Sequence, residues 1–401
     1  MTEYWEPRTE ADLETARTQG LFTESHIFDV KKQPPPPQKN GEIAIDLANF
    51  AVDGGKILYG VGQPKSNGPS VLSPFNTDGL AERLDQIARG GAIDPPLQIR
   101  CLTIPSEANP ELGYLLVVIP PSPDAPHMVD GRYRYRSDRT NAVPSDAEVR
   151  RLLAERETRQ SDIEALLQQE VERDPTDSSL RTQGHLFIVA QPLLFRRDLL
   201  ARAIGTQDWQ LWLQTDFRNK VMSVPTPSNF EPDLFQSAQT ISSRLDGWAV
   251  STYQMGPDRR IRPNGTLPAT ENQLLDLEVR DNGGLRLFCG RASFEWSALG
   301  QVIFDLLIAI LTRRMVRAAT AVSEKADFQG EWHFGLAIRG IEGASISRGP
   351  FGGLNPRRLD SYDETATASF DELETSPDDI ARRLLARFFR AFGYLDQIPG
   401  L

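Results

Sequence analysis

The sequence predicts an α/β protein built from two domains. Helical and strand-like patterns alternate over roughly the first 155 residues. A chain of 401 residues is longer than one core comfortably supports. The helical pattern stops at DPTDSS, residues 174–179, which we interpret as a domain linker. We therefore expect an α/β domain with a mixed sheet and helices over residues 1–155, a helical extension and linker over 156–179, and a second, α+β domain over 180–401.

The first domain opens with alternating helices and strands. EADLETARTQ is typical of a short polar helix, and SHIFDVKK of a strand. Consecutive prolines in QPPPPQKNG fix φ and make that loop stiff and extended. EIAIDLANFAVDGG predicts a helix, because its apolar residues fall at helical spacing and Gly54 and Gly55 end it. KILYGVG predicts a buried strand, and TDGLAERLDQIARGG a helix that ends at glycines.

Three further strands and a helix complete this domain. LQIRCLTIP and GYLLVVIPP are apolar and predict two buried strands. GRYRYRS alternates strictly, so as one strand it would place arginines on one face and tyrosines on the other. Ser145 and Glu148 have the spacing of a capping box at the start of a helix, and Ser161 and Glu164 repeat it.

The second domain has strand patterns followed by long helical ones. HLFIVAQPLL and GWAVSTYQ predict strands, and GLRLFCGRASFEW two short ones. SALGQVIFDLLIAILTRRMVRAATAVSEKA predicts one long buried helix. The last helix is expected to begin with Ser376 as N-cap and Pro377 at its first position, and to end before Gly393.

Composition excludes several classes of protein. A formal net charge of -11 argues against a protein that coats nucleic acid non-specifically, although a local basic groove is compatible with it. Two cysteines and four scattered histidines do not have the spacing of a disulfide framework or a zinc site. The N-terminus lacks an apolar signal core, and the apolar run 301–311 is too short to span a bilayer and contains Asp305. We expect a cytoplasmic protein that does not contact a membrane.

The stretch ESHIFDVKKQ holds the candidate catalytic residues Glu24, Asp29 and Lys31. In a strand, Asp29 and Lys31 project from the same face, and Glu24 joins them if it lies on the preceding loop. Carboxylates beside an ammonium suit a metal-plus-phosphate site, because Mg²⁺ prefers oxygen ligands. The alternative is the charged edge of an ordinary sheet, where charges discourage edge pairing.

An arginine row follows in GRYRYRSDR. Arg132, Arg134 and Arg136 would line one strand face, with Arg139 just beyond. Guanidinium groups match phosphate oxygens, so this row predicts a surface for the nucleic-acid backbone. A solvated face balanced by the surplus acids is the alternative.

Other suggestive residues favour structural roles. YGVGQPKSNG is not a P-loop, because Tyr59 and Pro64 stand where that motif needs glycine. His127 is a weak candidate for an acid or base. Trp209 and Trp212, three apart on a helix, favour core packing over base stacking. The arginines of the last helix favour a solvated face, namely Arg383, Arg387 and Arg390.

Several features of the first domain occur in a fixed order. They are an acid followed by the acid-x-Lys strand, a helix carrying Ala48 and Asn49 before its glycine pair, the YGVG strand, an apolar strand ending in prolines, a Tyr-x-Arg strand and a short helix. As an ordered set over roughly the first 155 residues, they resemble the Schlafen AlbA-like domain family. The rest of the chain resembles no family that we recognise.

The resemblance implies a function on RNA. Glu24 and Asp29 would hold Mg or Mn, Lys31 would stabilise charge, and Arg136 matches an arginine that recurs in the family. The family's third acid falls at Gly62 or Gln63 here, and Asp46 and Asp53 are the nearest other acids. The resemblance therefore implies binding of structured, tRNA-like RNA, with endoribonuclease activity in bacterial stress or phage defence as one outcome.

Two other interpretations remain open. The first domain could be a non-catalytic regulatory module that binds DNA or RNA, or it could recognise a target for an effector after residue 180. In the animal family members two such lobes form an RNA-holding cleft. One clear lobe here implies either a homodimer or a second, diverged lobe after residue 180.

Overall fold

A computed structural model gives the fold of the chain as two compact units. Unit 1 comprises Met1–Gln160, Leu193–Phe195 and Gln329–Glu331, and unit 2 comprises the remainder. The structure describes residues 5–62, 70–137, 140–160, 162–176, 181–193, 199–204, 208–227, 231–235, 239–252, 255, 271–296, 300–346 and 359–393. Within these residues helices and strands are mixed, so the expected α/β class is confirmed.

Unit 1 contains four described helices and ten short strands. The helices are α1 (Glu10–Thr18), α2 (Asn40–Phe50), α3 (Leu80–Arg89) and α4 (Asp146–Gln160). The strands are β1 (Phe28–Lys31), β2 (Gly55–Tyr59), β3 (Val61–Gly62), β4 (Val71–Leu72), β5 (Arg100–Pro105), β6 (Gly113–Ile119), β7 (Met128–Val129), β8 (Arg132–Tyr133), β9 (Tyr135–Ser137) and β10 (Thr140–Ala142).

The central sheet of unit 1 has the order β1-β2-β6-β5. β1 and β2 are parallel, which requires a crossover, and α2 is that crossover helix. The β6 pairings with β2 and β5 are antiparallel. α2 ends as the sequence predicts, because the Gly54 N–H bonds the Phe50 carbonyl and Gly54 adopts a φ of 75°.

Each face of this sheet has its own hydrophobic cluster. On one face, Leu13 and Ala16 of α1 pack with Phe28 and Val30 of β1. On the other face, α2 and α3 pack on alternate residues of β2 and β6, among them Tyr59. Strand alternation therefore directs Phe28 and Val30 towards α1, and Asp29 and Lys31 towards the α2 face.

Unit 2 contains the remaining described elements. Its helices are α5 (Asp162–Glu172), α6 (Leu199–Ile204), α7 (Trp209–Trp212), α8 (Arg218–Val221), α9 (Asp305–Ala326), α10 (Phe370–Thr375) and α11 (Pro377–Ala391). Its strands are β11 (His185–Pro192), β12 (Gln239–Arg244), β13 (Gly247–Thr252), β14 (Leu275–Arg280), β15 (Leu285–Cys289), β16 (Ser293–Trp296), β17 (Gly300–Ile303), β18 (Trp332–Arg339), β19 (Ser345–Ile346) and β20 (Ser361–Ala368).

The main sheet of unit 2 has the order β12-β13-β14-β15-β11-β18-β20, with antiparallel pairing throughout. Ile163 and Leu167 of α5 pack on Phe187 and Val189 of β11. α9 lies against β11 and β15, and a smaller sheet has the order β16-β17-β19. Trp209 and Trp212 are both buried and their rings meet edge to face, as their expected core role requires.

The long helix expected over 297–326 is shorter in the structure. Gly300–Ile303 forms β17, paired with β16, and α9 begins only at Asp305. Phe304 separates them with a ψ of 70°, outside the helical region. An apolar run such as QVIF has no periodicity that distinguishes a buried strand from a buried helix, so the sequence merges the two elements.

The start of the last helix also differs in detail. Pro377 occupies the first position of α11 as expected, but the Ser376 side chain makes no capping hydrogen bond. The capping box lies one helix earlier, where Ser369 and Glu372 cap α10 reciprocally. No described helix is long and apolar enough to cross a membrane.

Candidate functional site

β1 places two predicted site residues on the α2 side of the sheet. Asp29 pairs in register with Ile57, and Lys31 with Tyr59, whose side chains belong to the core beneath α2. Asp29 is buried, and Lys31 at the end of the strand is partly exposed. The expectation that both side chains share one face is confirmed by this register.

Lys31 lies between two carboxylates. Its Nζ is 3.3 Å from Asp29 Oδ2 and 3.1 Å from Asp46 Oδ2. Burial alone lowers the pKa of Lys31, but the charges of Asp46 and Asp29 outweigh it and raise the pKa. Lys31 is therefore an ammonium that joins strand β1 to helix α2.

Arg136 adds a second cation on Asp29. Its Nη1 is 3.6 Å from Asp29 Oδ2, and its guanidinium lies 4.6 Å above the centre of the Phe50 ring. The side chain is only 7 % exposed, so this is a buried ion pair. Two carboxylates and two cations form a neutral group, which we call the Asp29 cluster (Asp29, Lys31, Asp46 and Arg136).

Two buried polar side chains lie beside the Asp29 cluster, Asn49 on α2 and Tyr59 on β2, where it pairs in register with Lys31. Among the described residues, the Tyr59 hydroxyl and the Asn49 amide have no hydrogen-bond partner. Burial, followed by the charges of Asp46 and Asp29, raises the pKa of Tyr59 well above its ordinary value. Tyr59 is thus a neutral phenol close to two carboxylates, with its hydrogen-bonding capacity unused within that part of the chain.

The arginine row is not a continuous strand face. The single strand expected over GRYRYRS is wrong, because β8 ends at Tyr133 and β9 begins at Tyr135. Arg132 is exposed, Arg134 is half-buried and Arg136 is buried in the Asp29 cluster. The strand is interrupted at Arg134, whose N–H donates to the His127 carbonyl. Because of this interruption, the three arginine side chains do not lie on one face. Arg139 lies outside the described residues.

Glu24 lies on the half-exposed turn before β1, where Ser25 bridges to Phe28. This is the position that the sequence requires if Glu24 is to join Asp29. Within the described ranges, no group of three or more His, Cys, Asp or Glu side chains has an arrangement that could hold a metal ion. The pair Glu24 and Asp29 stays a predicted metal site, and Gln63, the position of the missing acid, falls outside those ranges.

His127 does not have the environment of a catalytic base. It is fully buried, with Nδ1 2.7 Å from the Pro95 carbonyl and Nε2 2.8 Å from Ser122 Oγ. Burial lowers the pKa of His127. A neutral ring that donates from Nδ1 and accepts at Nε2 satisfies both contacts, so its role is structural.

Asp46 is a site residue that the sequence identified only as one of the two nearest other acids, without a role. It is an acid on an otherwise apolar helix, and Asn49 and Phe50 follow it by three and four residues on the same helix face. This spacing indicates that α2 turns Asp46 and Asn49 towards the same neighbouring element. Its proximity to Lys31, however, depends on how α2 crosses β1.

No family model matches the chain, and a comparison with curated proteins finds no match either.

Proposed function

We propose that unit 1 binds the backbone of structured, tRNA-like RNA, as the resemblance to the Schlafen AlbA-like family implies. The observation that carries this proposal is the Lys31 ammonium held between Asp29 and Asp46, with Arg136 beside them. Phosphoryl chemistry uses this combination, because carboxylates hold a hard cation and fixed cations neutralise phosphate oxygens. The leading activity is metal-dependent endonucleolytic cleavage of the bound RNA.

The carboxylates of the Asp29 cluster are the kind of oxygen ligand that Mg²⁺ or Mn²⁺ would use. Asp29 and Asp46 already share one cation, and the Tyr59 hydroxyl adds a buried oxygen that is unpartnered within the described ranges. Asp29 and Asp46, with Glu24 from the turn, would hold the ion, which would activate water and polarise a phosphate. Lys31 and Arg136 would then neutralise charge that develops on the phosphate oxygens.

The second candidate is a regulatory module that binds DNA or RNA without cutting it. This alternative is favoured by the charge balance of the Asp29 cluster, because both carboxylates are already paired with cations. Arg132 and Arg134, which lie outside the cluster and keep more exposure, would then grip the phosphate backbone.

Cleavage is tested by incubating the full chain with total tRNA in Mg²⁺, in Mn²⁺ and in EDTA. We expect metal-dependent fragments that disappear in Asp29→Asn and fall at least about tenfold in Asp46→Asn, because each removes one metal-holding charge. A Glu24→Ala/Asp29→Ala double variant tests the pair identified in the sequence. Asp85→Asn removes one charge from the same unit, in an exposed pair with Arg89 on α3, and serves as the matched control.

The outcomes separate the two candidates. Fragments that persist in EDTA or in Asp29→Asn would exclude the Asp29 cluster as the cleaving site. RNA that stays intact, and whose mobility on a native gel is reduced by the parent and by every variant, would favour the regulatory module. Intact and unshifted RNA, with duplex DNA shifted instead, would move the ligand from RNA to DNA.

Binding is tested separately with Arg132→Ala/Arg134→Ala. We expect the dissociation constant for labelled tRNA to rise about tenfold, since two phosphate contacts are lost. Arg150→Ala/Arg151→Ala, two exposed arginines of α4, is the matched control with the same change in charge. Sedimentation of the RNA-bound chain gives the stoichiometry and so tests the expected homodimer.

A further inference from the structure

His185 of unit 2 is a fully buried histidine with a carboxylate on each side. It is the first residue of β11. Its Nδ1 is 2.7 Å from Asp174 Oδ2, just beyond α5, and its Nε2 is 3.7 Å from Glu271 Oε2. Glu271 begins a short 3₁₀ turn before β14. Three separate stretches of chain therefore meet at one imidazole ring.

Both carboxylates are held in place by other groups. Asp174 accepts hydrogen bonds from Arg181 Nη2 at 2.6 Å and from the Thr176 N–H at 2.9 Å. Glu271 accepts from the Thr182 N–H at 3.1 Å and from the Thr182 hydroxyl. An ionised carboxylate only accepts hydrogen bonds, so a neutral ring would turn a lone pair towards one of the two acids.

The charges of the group balance only if the ring is charged. Asp174 and Glu271 contribute two negative charges, and Arg181 contributes one positive charge. A neutral ring would leave one uncompensated negative charge in a buried site, which is costly. An imidazolium makes the group neutral: its Nδ1 donates to Asp174, and its Nε2–H faces the Glu271 carboxylate as an ion pair at 3.7 Å.

We propose that His185 is a doubly protonated imidazolium that holds Asp174 and Glu271 against the start of β11, forming a lock in unit 2 that alkaline pH releases. Burial alone lowers the pKa of His185, but the flanking carboxylates of Asp174 and Glu271 outweigh it and the pKa is raised. The carboxylate of Glu271 responds in the opposite sense: burial opposes ionisation, yet His185 and Thr182 lower its pKa.

The other charged groups near this ring are engaged with other partners. Arg339 of β18 lies opposite His185 in register, and its guanidinium binds Asp363 at 2.7 Å. β15 presents the Phe288 ring, edge to face at 5.3 Å. On α5, Glu170 pairs with Arg173 at 2.9 Å. Among the described residues, Asp174, Arg181 and Glu271 are therefore the groups that set the charge of the ring.

The sign of the pH effect follows from the raised pKa. The lock is complete below about pH 6.5, the ordinary histidine value, and is lost as pH rises through the raised pKa of the folded state. Deprotonation removes one N–H donor and leaves a lone pair facing a fixed carboxylate. We expect the contacts of Asp174 and Glu271 with the start of β11 to open locally before the rest of unit 2 does.

The protonation state is measured directly on the full chain. The chain has only four histidines, so ¹⁵N spectra of the ring nitrogens are assigned by single His→Gln substitutions. At pH 7.5 we expect the ¹⁵N shifts of His185 to be those of an imidazolium, and those of His127 to be those of a neutral ring. The His185 ring should lose its proton only at a pH above about 6.5. A neutral His185 ring at pH 7.5 would overturn the proposal, whether or not any variant folds.

Stability provides the second test. Five of the six tryptophans lie in unit 2, so tryptophan emission during denaturation follows that unit. We expect the denaturant concentration at which the parent is half unfolded to be lower at pH 9 than at pH 6. For His185→Gln this midpoint should be lower than that of the parent at pH 6 and should not change between the two pH values. His333→Gln is the matched control, because burial lowers the pKa of His333 and its pH effect has the opposite sign. A midpoint that EDTA lowers at constant pH would mean that a metal, not a proton, bridges Nε2 and Glu271.

Discussion

Asp29 is the residue on which the Asp29 cluster depends, because its carboxylate binds Lys31 and Arg136 while being buried itself. Asp29→Asn leaves a buried guanidinium without its counter-charge. We expect this change to lower the free energy of unfolding by about 3 kcal/mol, as loss of one partner of a buried pair does. Asp46→Asn leaves Lys31 its Asp29 contact and should cost about 1 kcal/mol.

Thermal unfolding of both variants measures this difference, with hydrogen exchange of the Phe28–Lys31 strand as the local readout. A smaller effect at Asp29 than at Asp46 would contradict the buried pairing. The measurement also decides how loss of cleavage is interpreted, since an unfolded Asp29 variant says nothing about catalysis.

His127 allows a second test at the scale of one side chain. His127→Phe keeps an aromatic ring but leaves the Pro95 carbonyl and the Ser122 hydroxyl without their partner. We expect a loss of about 2 kcal/mol of stability, the cost of unpaired buried polar groups. Calorimetry at pH 7 measures it, with half-exposed His26→Phe as the control.

The same residue gives a pH dependence of known sign. Because burial lowers the pKa of His127, the neutral ring contributes fully above about pH 6.5, and the contribution is lost as pH falls through the lowered value. The gap in stability between parent and His127→Phe should therefore narrow in acid. A gap that widens below pH 6 would mean that the ring is charged in the native state.

At the scale of elements, one acid supplements the apolar packing of α1 on the sheet. The Tyr114 hydroxyl of β6 donates to the Glu10 carboxylate, which also accepts from Ser106 and the Glu107 N–H. That hydrogen bond from Tyr114 is the main cause that lowers the pKa of Glu10, against the opposing effect of burial. We expect Tyr114→Phe to destabilise unit 1 by about 1.5 kcal/mol at pH 7.

This effect should vanish in acid. A lowered carboxyl pKa stabilises the fold above about pH 4.3 and ceases to do so as pH falls through the lowered value. Urea unfolding of parent and Tyr114→Phe from pH 3 to pH 7 measures the difference. Tyr133→Phe, a half-buried tyrosine of the same unit, is the control, and an equal loss in both variants would contradict the role of Glu10.

How far the sequence predicts these elements depends on the kind of information each requires. β1 and the end of α2 were predicted because alternation and the glycine pair are local properties. The boundary between β17 and α9 was not, since both are apolar and only pairing with β16 makes Gly300–Ile303 a strand. Within the site, Asp29 and Lys31 follow from alternation, whereas Asp46 joins them only through tertiary packing of α2.

At the scale of the whole molecule, the net charge of -11 limits how the chain could hold the RNA that we propose as its ligand. An acidic body repels phosphate, so in the proposed complex the attraction would come from a few side chains of unit 1, chiefly Arg132 and Arg134. Few phosphate contacts release few counterions. The salt dependence of binding is therefore the property that reports on the size of the RNA footprint.

We expect the logarithm of the tRNA association constant to fall with the logarithm of KCl concentration with a slope of about -2 to -3, shallow for a nucleic-acid-binding protein. Arg132→Ala/Arg134→Ala should reduce that slope by about 1.5, because each phosphate contact contributes about 0.7 to 0.9. Fluorescence anisotropy of labelled tRNA between about 50 and 300 mM KCl measures both slopes. A parental slope steeper than about -6 would mean that RNA covers a wider basic surface, and an unchanged slope in the variant would place the contacts away from β8. The salt slope depends on the number of phosphate contacts and does not depend on cleavage. This measurement therefore distinguishes RNA that binds elsewhere on the chain from RNA that binds at the expected surface without being cut.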